Sequence, residues 1–86
     1  MSVLSARHIL GAKVYDMRGQ KIGHVEDVGL DDASNEILYA TVECGGFMGL
    51  GSTRHPVPWS DLDYDAGQGC CVSRLTKQEL KAPAYD

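Results

Sequence analysis

Aromatic residues are scarce in this sequence. One tryptophan, one phenylalanine and four tyrosines stand among its 86 residues. Because aromatic side chains bring the largest apolar areas into a protein interior, a core built here depends on valine, leucine and isoleucine. Hydrophobic residues make up 43% of the chain, and a chain of this length buries roughly 60–65% of its unfolded surface. These proportions predict one small folded domain over residues 1–86.

Long apolar runs, excess basic charge and a disulfide pattern are missing as well. No run approaches the roughly 20 apolar residues of a membrane span, and the first residues lack the apolar stretch of a secretion signal. The formal net charge of −4 argues against a protein whose main function is to bind the phosphates of nucleic acids. Three cysteines, two of them adjacent, are not typical of a disulfide framework. We therefore expect a cytoplasmic protein without a membrane span.

Short β-prone segments separated by turn residues account for most of the chain. These segments are 13–15, 21–30, 36–44, 54–58 and 70–73. Ser5 is a suitable N-cap for one helical turn that ends before Gly11. The composition of residues 16–19 predicts a hairpin turn. The composition of residues 59–62 predicts a turn or a single 3₁₀ segment. The succession predicts a mainly β fold: a small closed or partly open β-barrel of about five or six strands with a short C-terminal helical turn.

The longest segment, 21–30, does not alternate strictly. Its apolar residues break the period of two twice, between Ile22 and Val25 and again between Val25 and Val28. The same spacing also fits a helix, but two glycines in the segment would weaken a helix by about 1 kcal/mol each. We expect a bent strand with bulges beside the glycines, because small barrels need such bends to close.

The segment 36–44 alternates most clearly. One face is predicted to carry Leu38, Ala40, Val42 and Cys44. The other face is predicted to carry Ile37, Tyr39, Thr41 and Glu43. Because the second face is partly apolar too, we expect a central strand, or one whose outer face meets a partner. Two prolines in 54–58 lack the N–H that a ladder needs, so that segment is expected at an edge.

A strong local signal marks the C-terminus. Thr76 and Glu79 have the spacing of a capping box, and Leu75 with Leu80 has the spacing of the matching hydrophobic staple. The pattern predicts a short helix over about 77–81.

Three stretches of the sequence resemble the PRC-barrel domain over about residues 5–86. They are GAKVYDMRGQKIGHVEDVGLD, ILYATVECGGFMGLGSTRHPVPWSDLDYD and LTKQELKAPAYD. The most specific parts are the G-x-x-V-Y-D opening, the G-Q-K-I-G-x-V run that follows it, and V-P-W-S-x-L at 57–62. The resemblance implies a compact barrel. Family members include the cytoplasmic domain of photosynthetic reaction centre H subunits and the C-terminal domain of a ribosome maturation factor, which share an assembly-type role and no reaction. The resemblance therefore implies no catalytic residues.

The glycine-rich segment 45–51 has several possible roles. It lacks the G-K-[ST] ending and the G-x-G-x-x-G order of phosphate-binding loops, and its glycines suit a hairpin connection. Its apolar residues Phe47, Met48 and Leu50 suggest an interface, because exposed apolar clusters mark contact surfaces. Together with Tyr39 they are the predicted contact residues.

The tryptophan, cysteine, histidine and acidic residues do not have the spacing of a known binding or catalytic motif. Two roles are open for Trp59. It anchors a partner protein, or it packs in the core, which is the commoner role of a lone tryptophan in a small barrel. No paired C-x₂₋₄-C knuckle supports a zinc site among Cys44, Cys70, Cys71, His24 and His55. A small chain also leaves little room for a catalytic cleft around Ser60, Asp61 and His55 or around Asp27, Asp31 and Asp32. We expect no catalytic residue, no metal and no cofactor.

The basic residues fall into two sets. One set lies near the first hairpin (Arg7, Lys13, Arg18, Lys21), and the other lies near the C-terminus (Arg74, Lys77, Lys81). A modest basic patch would form if both faced one way. The leading hypothesis is therefore a non-enzymatic protein–protein interaction or assembly module that self-associates as a homodimer. The alternative is an RNA-processing accessory domain that binds RNA or a ribonucleoprotein.

Overall fold

The protein is a curled sheet of six short strands. The computed structural model describes residues 4–45, 51–76 and 79–80. The elements in chain order are α1 (Ala6–Ile9), β1 (Lys13–Tyr15), β2 (Lys21–Leu30), β3 (Ile37–Cys44), β4 (Thr53–Pro58), a 3₁₀ turn (Trp59–Asp61), β5 (Leu62–Asp65) and β6 (Cys70–Ser73). The strand order β4-β3-β2-β1-β6-β5 forms a half-barrel. The predicted mainly β barrel of five or six strands is confirmed in its partly open form.

Strand pairing follows the predicted arrangement with one addition. β3 lies between β2 and β4, which confirms it as a central strand, and the proline-containing β4 lies at an edge. β1 pairs with β6 in parallel, whereas the other neighbours are antiparallel. β5 was not predicted, because two aspartates in its sequence LDYD are typical of turns rather than strands.

Two bulges bend β2 as its sequence predicts. The register to β1 steps from Val14 opposite Gly23 to Tyr15 opposite Lys21, so one residue of β2 has no partner there. The register to β3 skips another residue between Val25 and Asp27. These extra residues explain how apolar side chains at odd spacing all reach the interior.

A third bulge corrects the predicted facing of β3. Between Gly29 opposite Tyr39 and Leu30 opposite Ile37, the register skips Leu38. Ile37 consequently packs against the core, and Leu38 is exposed. The prediction was wrong at these two positions and correct for the buried residues Ala40, Val42 and Cys44.

The core is made of small and branched aliphatic side chains. Its buried hydrophobic members are Ile9, Ala12, Val14, Ile22, Val25, Ala40, Val42, Cys44, Val57, Leu62, Cys71 and Leu80. Trp59 is half-buried and packs against this cluster, as expected of a core tryptophan. Within the described ranges, no helix has the length and apolar character needed to cross a membrane.

The helical ends match the sequence in part. Ser5 occupies the N-cap of α1 without a side-chain cap hydrogen bond. The capping box is confirmed: the Thr76 N–H donates to Glu79 Oε1 at 2.9 Å, and the Glu79 N–H donates to Thr76 Oγ1 at 3.1 Å. Leu80 is buried and Leu75 packs beside the core. Glu79 and Leu80 are helical, and the rest of the predicted helix over 77–81 lies outside the described residues.

Candidate interaction surface

Large apolar side chains are exposed where β2 turns into β3. Leu30, Leu38 and Tyr39 are 61%, 53% and 40% exposed. Leu30 ends β2 opposite Ile37, and Tyr39 lies opposite Gly29, so all three belong to one end of this strand pair. We call these three residues the hairpin patch. Single exposed hydrophobic residues are ordinary, whereas a contiguous group indicates a contact surface.

The turn that carries this patch is held by several hydrogen bonds. The Asp31 N–H donates to the Glu36 carbonyl at 2.8 Å, and the Asn35 N–H donates to the Asp31 carbonyl at 2.7 Å. Asp31 Oδ1 accepts from the Ala33 N–H at 2.9 Å. That backbone bond, followed by one from the Ser34 side chain, lowers the pKa of Asp31. The turn is therefore ordered and keeps a negative charge beside the leucines.

Tyr39 is positioned by the glycine opposite it. Its ring atoms Cε2 and Cζ occupy the space that a Cβ on Gly29 would need. A glycine in a strand often marks such a close approach. The ring therefore lies against the backbone of β2 while part of it stays exposed.

A charged cluster crosses β2, β3 and β4 farther along the sheet. Glu43 Oε1 lies 3.2 Å from His24 Nε2, and Glu43 Oε2 lies 3.4 Å from Arg54 Nη2. Arg54 Nε also donates to Glu26 at 2.6 Å and 2.7 Å. The Glu26 hydrogen bond, followed by the charges of Glu26 and Glu43, raises the pKa of Arg54. Exposed pairs of this kind contribute little stability each, but they engage both glutamates.

The predicted contact residues have different outcomes. Phe47, Met48 and Leu50 lie outside the described residues. Tyr39 is described and exposed. Sequence reasoning missed Leu30 and Leu38 as surface residues, because strict alternation assigned Leu38 to the interior. Only the bulge in β3 reveals it, and no residue pattern in that strand marks the bulge.

The cysteines and histidines do not converge. Cys44 and Cys71 are buried, Cys70 is half-buried, and none of the three forms a disulfide bond. Burial, with a smaller contribution from the charge of Cys70, raises the pKa of Cys71 to about 11. His24 pairs with Glu43, and His55 Nε2 lies 2.8 Å from Thr53 Oγ1. In the part of the chain that the structure describes, no group of three or more His, Cys, Asp or Glu side chains could hold a metal ion.

The candidate catalytic residues are not joined by hydrogen bonds. The hydrogen bond of the His55 ring goes to Thr53, and among the described residues none links it to the side chains of Ser60 or Asp61. The candidate carboxylates Asp27 and Asp31 accept bonds from neighbouring backbone N–H groups. These arrangements shape turns and strand ends.

Two surface cavities lie at the other end of β2. The larger, of about 380 Å³, includes Asp16, Asp65 and Cys70 in its lining. The smaller, of about 160 Å³, lies between Arg18 and Arg74. Asp16 Oδ1 accepts from the N–H groups of Arg18 and Gln20, both at 2.9 Å, so this carboxylate serves the turn between β1 and β2. The cavities thus border a hairpin tip whose buried carboxylate is already engaged.

The described residues form a six-stranded half-barrel with large apolar side chains exposed at the end of one hairpin. The family model of the PRC-barrel domain matches residues 1–70. The chain belongs to the PRC-barrel domain family. The matched region runs from α1 through β5 and includes all three of the most specific sequence parts. No curated protein matches the chain.

Proposed function

We propose that this PRC-barrel domain is a non-enzymatic interaction module that self-associates, with a homodimer as its simplest assembly. The hairpin patch carries the proposal, because Leu30, Leu38 and Tyr39 are large, exposed and located at one end of the β2–β3 pair. Membership of a family of generally interaction-related β modules supports it further.

Association would gain from burying this patch. Full burial of a leucine side chain is worth about 1.5–3 kcal/mol relative to exposure, and tyrosine is enriched at protein interfaces. The hydrogen-bonded turn between β2 and β3 holds the patch in place, so little ordering is required on binding. A partner that binds only the folded state would also stabilise this small domain.

Sedimentation velocity over a range of concentrations tests the proposal. We expect wild type to form larger species as concentration rises, and Leu30→Ser/Leu38→Ser to remain monomeric with an unchanged circular dichroism spectrum. Leu4→Ser/Leu10→Ser is the matched control, since Leu4 and Leu10 are 42% and 44% exposed outside the patch; this variant should associate like wild type. A wild-type chain that stays monomeric at high micromolar concentration would refute self-association.

The same proposal includes a cytoplasmic location and no cofactor or metal. Three cysteines without a disulfide bond suit a reducing compartment. The buried polar groups beside the cavities, the carboxylate of Asp16 and the hydroxyl of Ser73, form hydrogen bonds within the protein. They support a structural role better than a chemical one.

RNA binding is a second candidate function, and one observation favours it. Arg18 and Arg74, from the two basic sets, line the same cavity. Fluorescence anisotropy with a labelled RNA at several salt concentrations tests it. An affinity that falls with salt and is weakened by Arg18→Gln/Arg74→Gln would support RNA binding. Absence of binding at low salt would eliminate it.

A further inference from the structure

Acidic charge is concentrated in the middle of the chain. Residues 22–53 contain no lysine or arginine and six acidic residues: Glu26, Asp27, Asp31, Asp32, Glu36 and Glu43. Arg54 of β4 pairs with Glu26 and Glu43. The remaining four carboxylates have no cationic partner among the described residues. Asp27 lies within β2, and Asp31, Asp32 and Glu36 lie in the turn before β3. This turn and the hairpin patch together form what we call the acidic end.

Cations collect at the start of β2. Met17 and Arg18 are exposed in the turn between β1 and β2, and Lys21 is exposed at the first position of β2. Arg74 borders the same cavity as Met17 and Arg18. Neither Arg18 nor Lys21 forms an ion pair within the described ranges. We call Met17, Arg18, Lys21 and Arg74 the basic end.

Three carboxylates lie near the basic end, and one of them, Asp63, pairs with Arg74 of that end. Asp16 is buried and accepts two backbone N–H groups. Asp65 Oδ1 accepts from the Gly67 N–H at 2.9 Å within its own turn, and Asp63 lies 3.5 Å from Arg74 Nη2. They reduce the positive potential without pairing with Arg18 or Lys21.

The two ends are separated by the length of β2. This strand has ten residues, and at about 3.3 Å per residue it spans roughly 30 Å, compared with a largest extent of 38 Å for the described residues. Each end also has exposed apolar side chains, since Met17 is 76% exposed. The two ends of β2 therefore carry opposite charge, and each has exposed apolar side chains beside that charge.

We propose that copies of this chain associate head to tail, the acidic end of one copy docking on the basic end of the next. The inference rests on the proposed self-association and specifies its geometry. A symmetric dimer through the hairpin patch would bring Asp31, Asp32 and Glu36 of one copy close to the same three carboxylates of the other, and like charges at an interface are costly. Head-to-tail docking pairs opposite charges and covers leucine with methionine.

Such a contact has a structural consequence. After two copies dock, one acidic end and one basic end remain unoccupied. A contact between different surfaces therefore continues into a ring or an open chain, so assembly passes beyond the dimer.

Two charge-reversed variants test the geometry. Asp32→Lys/Glu36→Lys makes the acidic end basic, and Arg18→Glu/Lys21→Glu makes the basic end acidic. These substitutions avoid the turn-capping carboxylates Asp16 and Asp31. Nuclease-treated samples are compared by sedimentation velocity at about 50 mM and 500 mM salt, concentrations that bracket strong and weak screening.

We expect each variant alone to associate on the order of tenfold or more weakly than wild type. An equimolar mixture of the two should regain association at the same total protein concentration. High salt should weaken the wild-type assembly.

Other outcomes overturn the inference. If Arg18→Glu/Lys21→Glu associates like wild type, docking is hairpin to hairpin and the head-to-tail geometry fails while self-association stands. If the mixture does not recover, the two ends do not contact each other. A wild type that is monomeric overturns both proposals, and assemblies that disappear on nuclease treatment favour the RNA alternative.

Discussion

Substituting Gly23 by alanine tests the register of the sheet. A Cβ at this position would overlap the carbonyl oxygen of Glu43 and lie 2.9 Å from its carbonyl carbon. Those atoms belong to the backbone of β3, which pairs with strands on both sides and has little freedom to move. The same substitution at Gly29 would meet the ring of Tyr39, which can rotate away from the sheet.

The structure allows the magnitude to be worked out. Overpacking in a close-packed region costs about 1–3 kcal/mol, and an immobile backbone puts Gly23→Ala near the upper value. Replacing glycine by alanine within a strand returns roughly 0.5–1 kcal/mol of backbone entropy, which leaves a net loss of about 2 kcal/mol. Gly29→Ala should change the free energy of unfolding by less than about 0.5 kcal/mol, as a surface substitution does.

Urea unfolding followed by the fluorescence of Trp59 measures both variants. Trp59 packs against the core, so its emission reports unfolding. A loss of about 2 kcal/mol corresponds to a melting temperature lower by roughly 8–16 °C for a domain of this size. If Gly23→Ala is as stable as wild type, or loses less than Gly29→Ala, the pairing of Gly23 with Cys44 is wrong.

Two further substitutions test the pH response and the C-terminal cap. Because the pKa of Cys71 is raised from 9.0 to about 11, the unfolded chain loses this proton first. The free energy of unfolding should therefore fall between about pH 9 and pH 11, by on the order of 2 kcal/mol; Cys71→Ala should lack that component, and parallel curves for the two proteins would contradict the reasoning. Thr76→Ala removes the hydroxyl that accepts from the Glu79 N–H and should cost about 1 kcal/mol in urea unfolding. Glu79→Gln, which keeps a capping acceptor, should cost less, and equal losses would argue against the box.

The bends of β2 could be predicted because their signals are local. Glycines lie close to the two places where its apolar period breaks, and a bulge is the simplest way to keep Ile22, Val25 and Val28 against one core. The register shifts of the structure occur in these regions. The capping box at Thr76 was predictable for the same reason, since all its atoms come from one turn of chain.

The facing of Leu38 and the existence of β5 depend on distant partners. Leu38 follows the alternation of its own strand, and only the pairing across from Gly29 and Leu30 displaces it. The four residues of β5 are a strand because β6 supplies their hydrogen-bonding partners. Neither partner can be identified from residues within the segment, so local patterns do not reveal them.

The bulge at Leu38 connects the fold to the proposed contact surface. It turns Ile37 toward the core and leaves Leu38 exposed at the same end of the strand pair as Leu30. A polar residue at position 38 would therefore satisfy the fold, so the leucine there is better explained by contacts outside the chain. If so, Leu38→Ser should change the free energy of unfolding by less than about 0.5 kcal/mol while weakening association. A variant that loses several-fold more stability than this would show that Leu38 serves the fold, and the patch would lose its central residue.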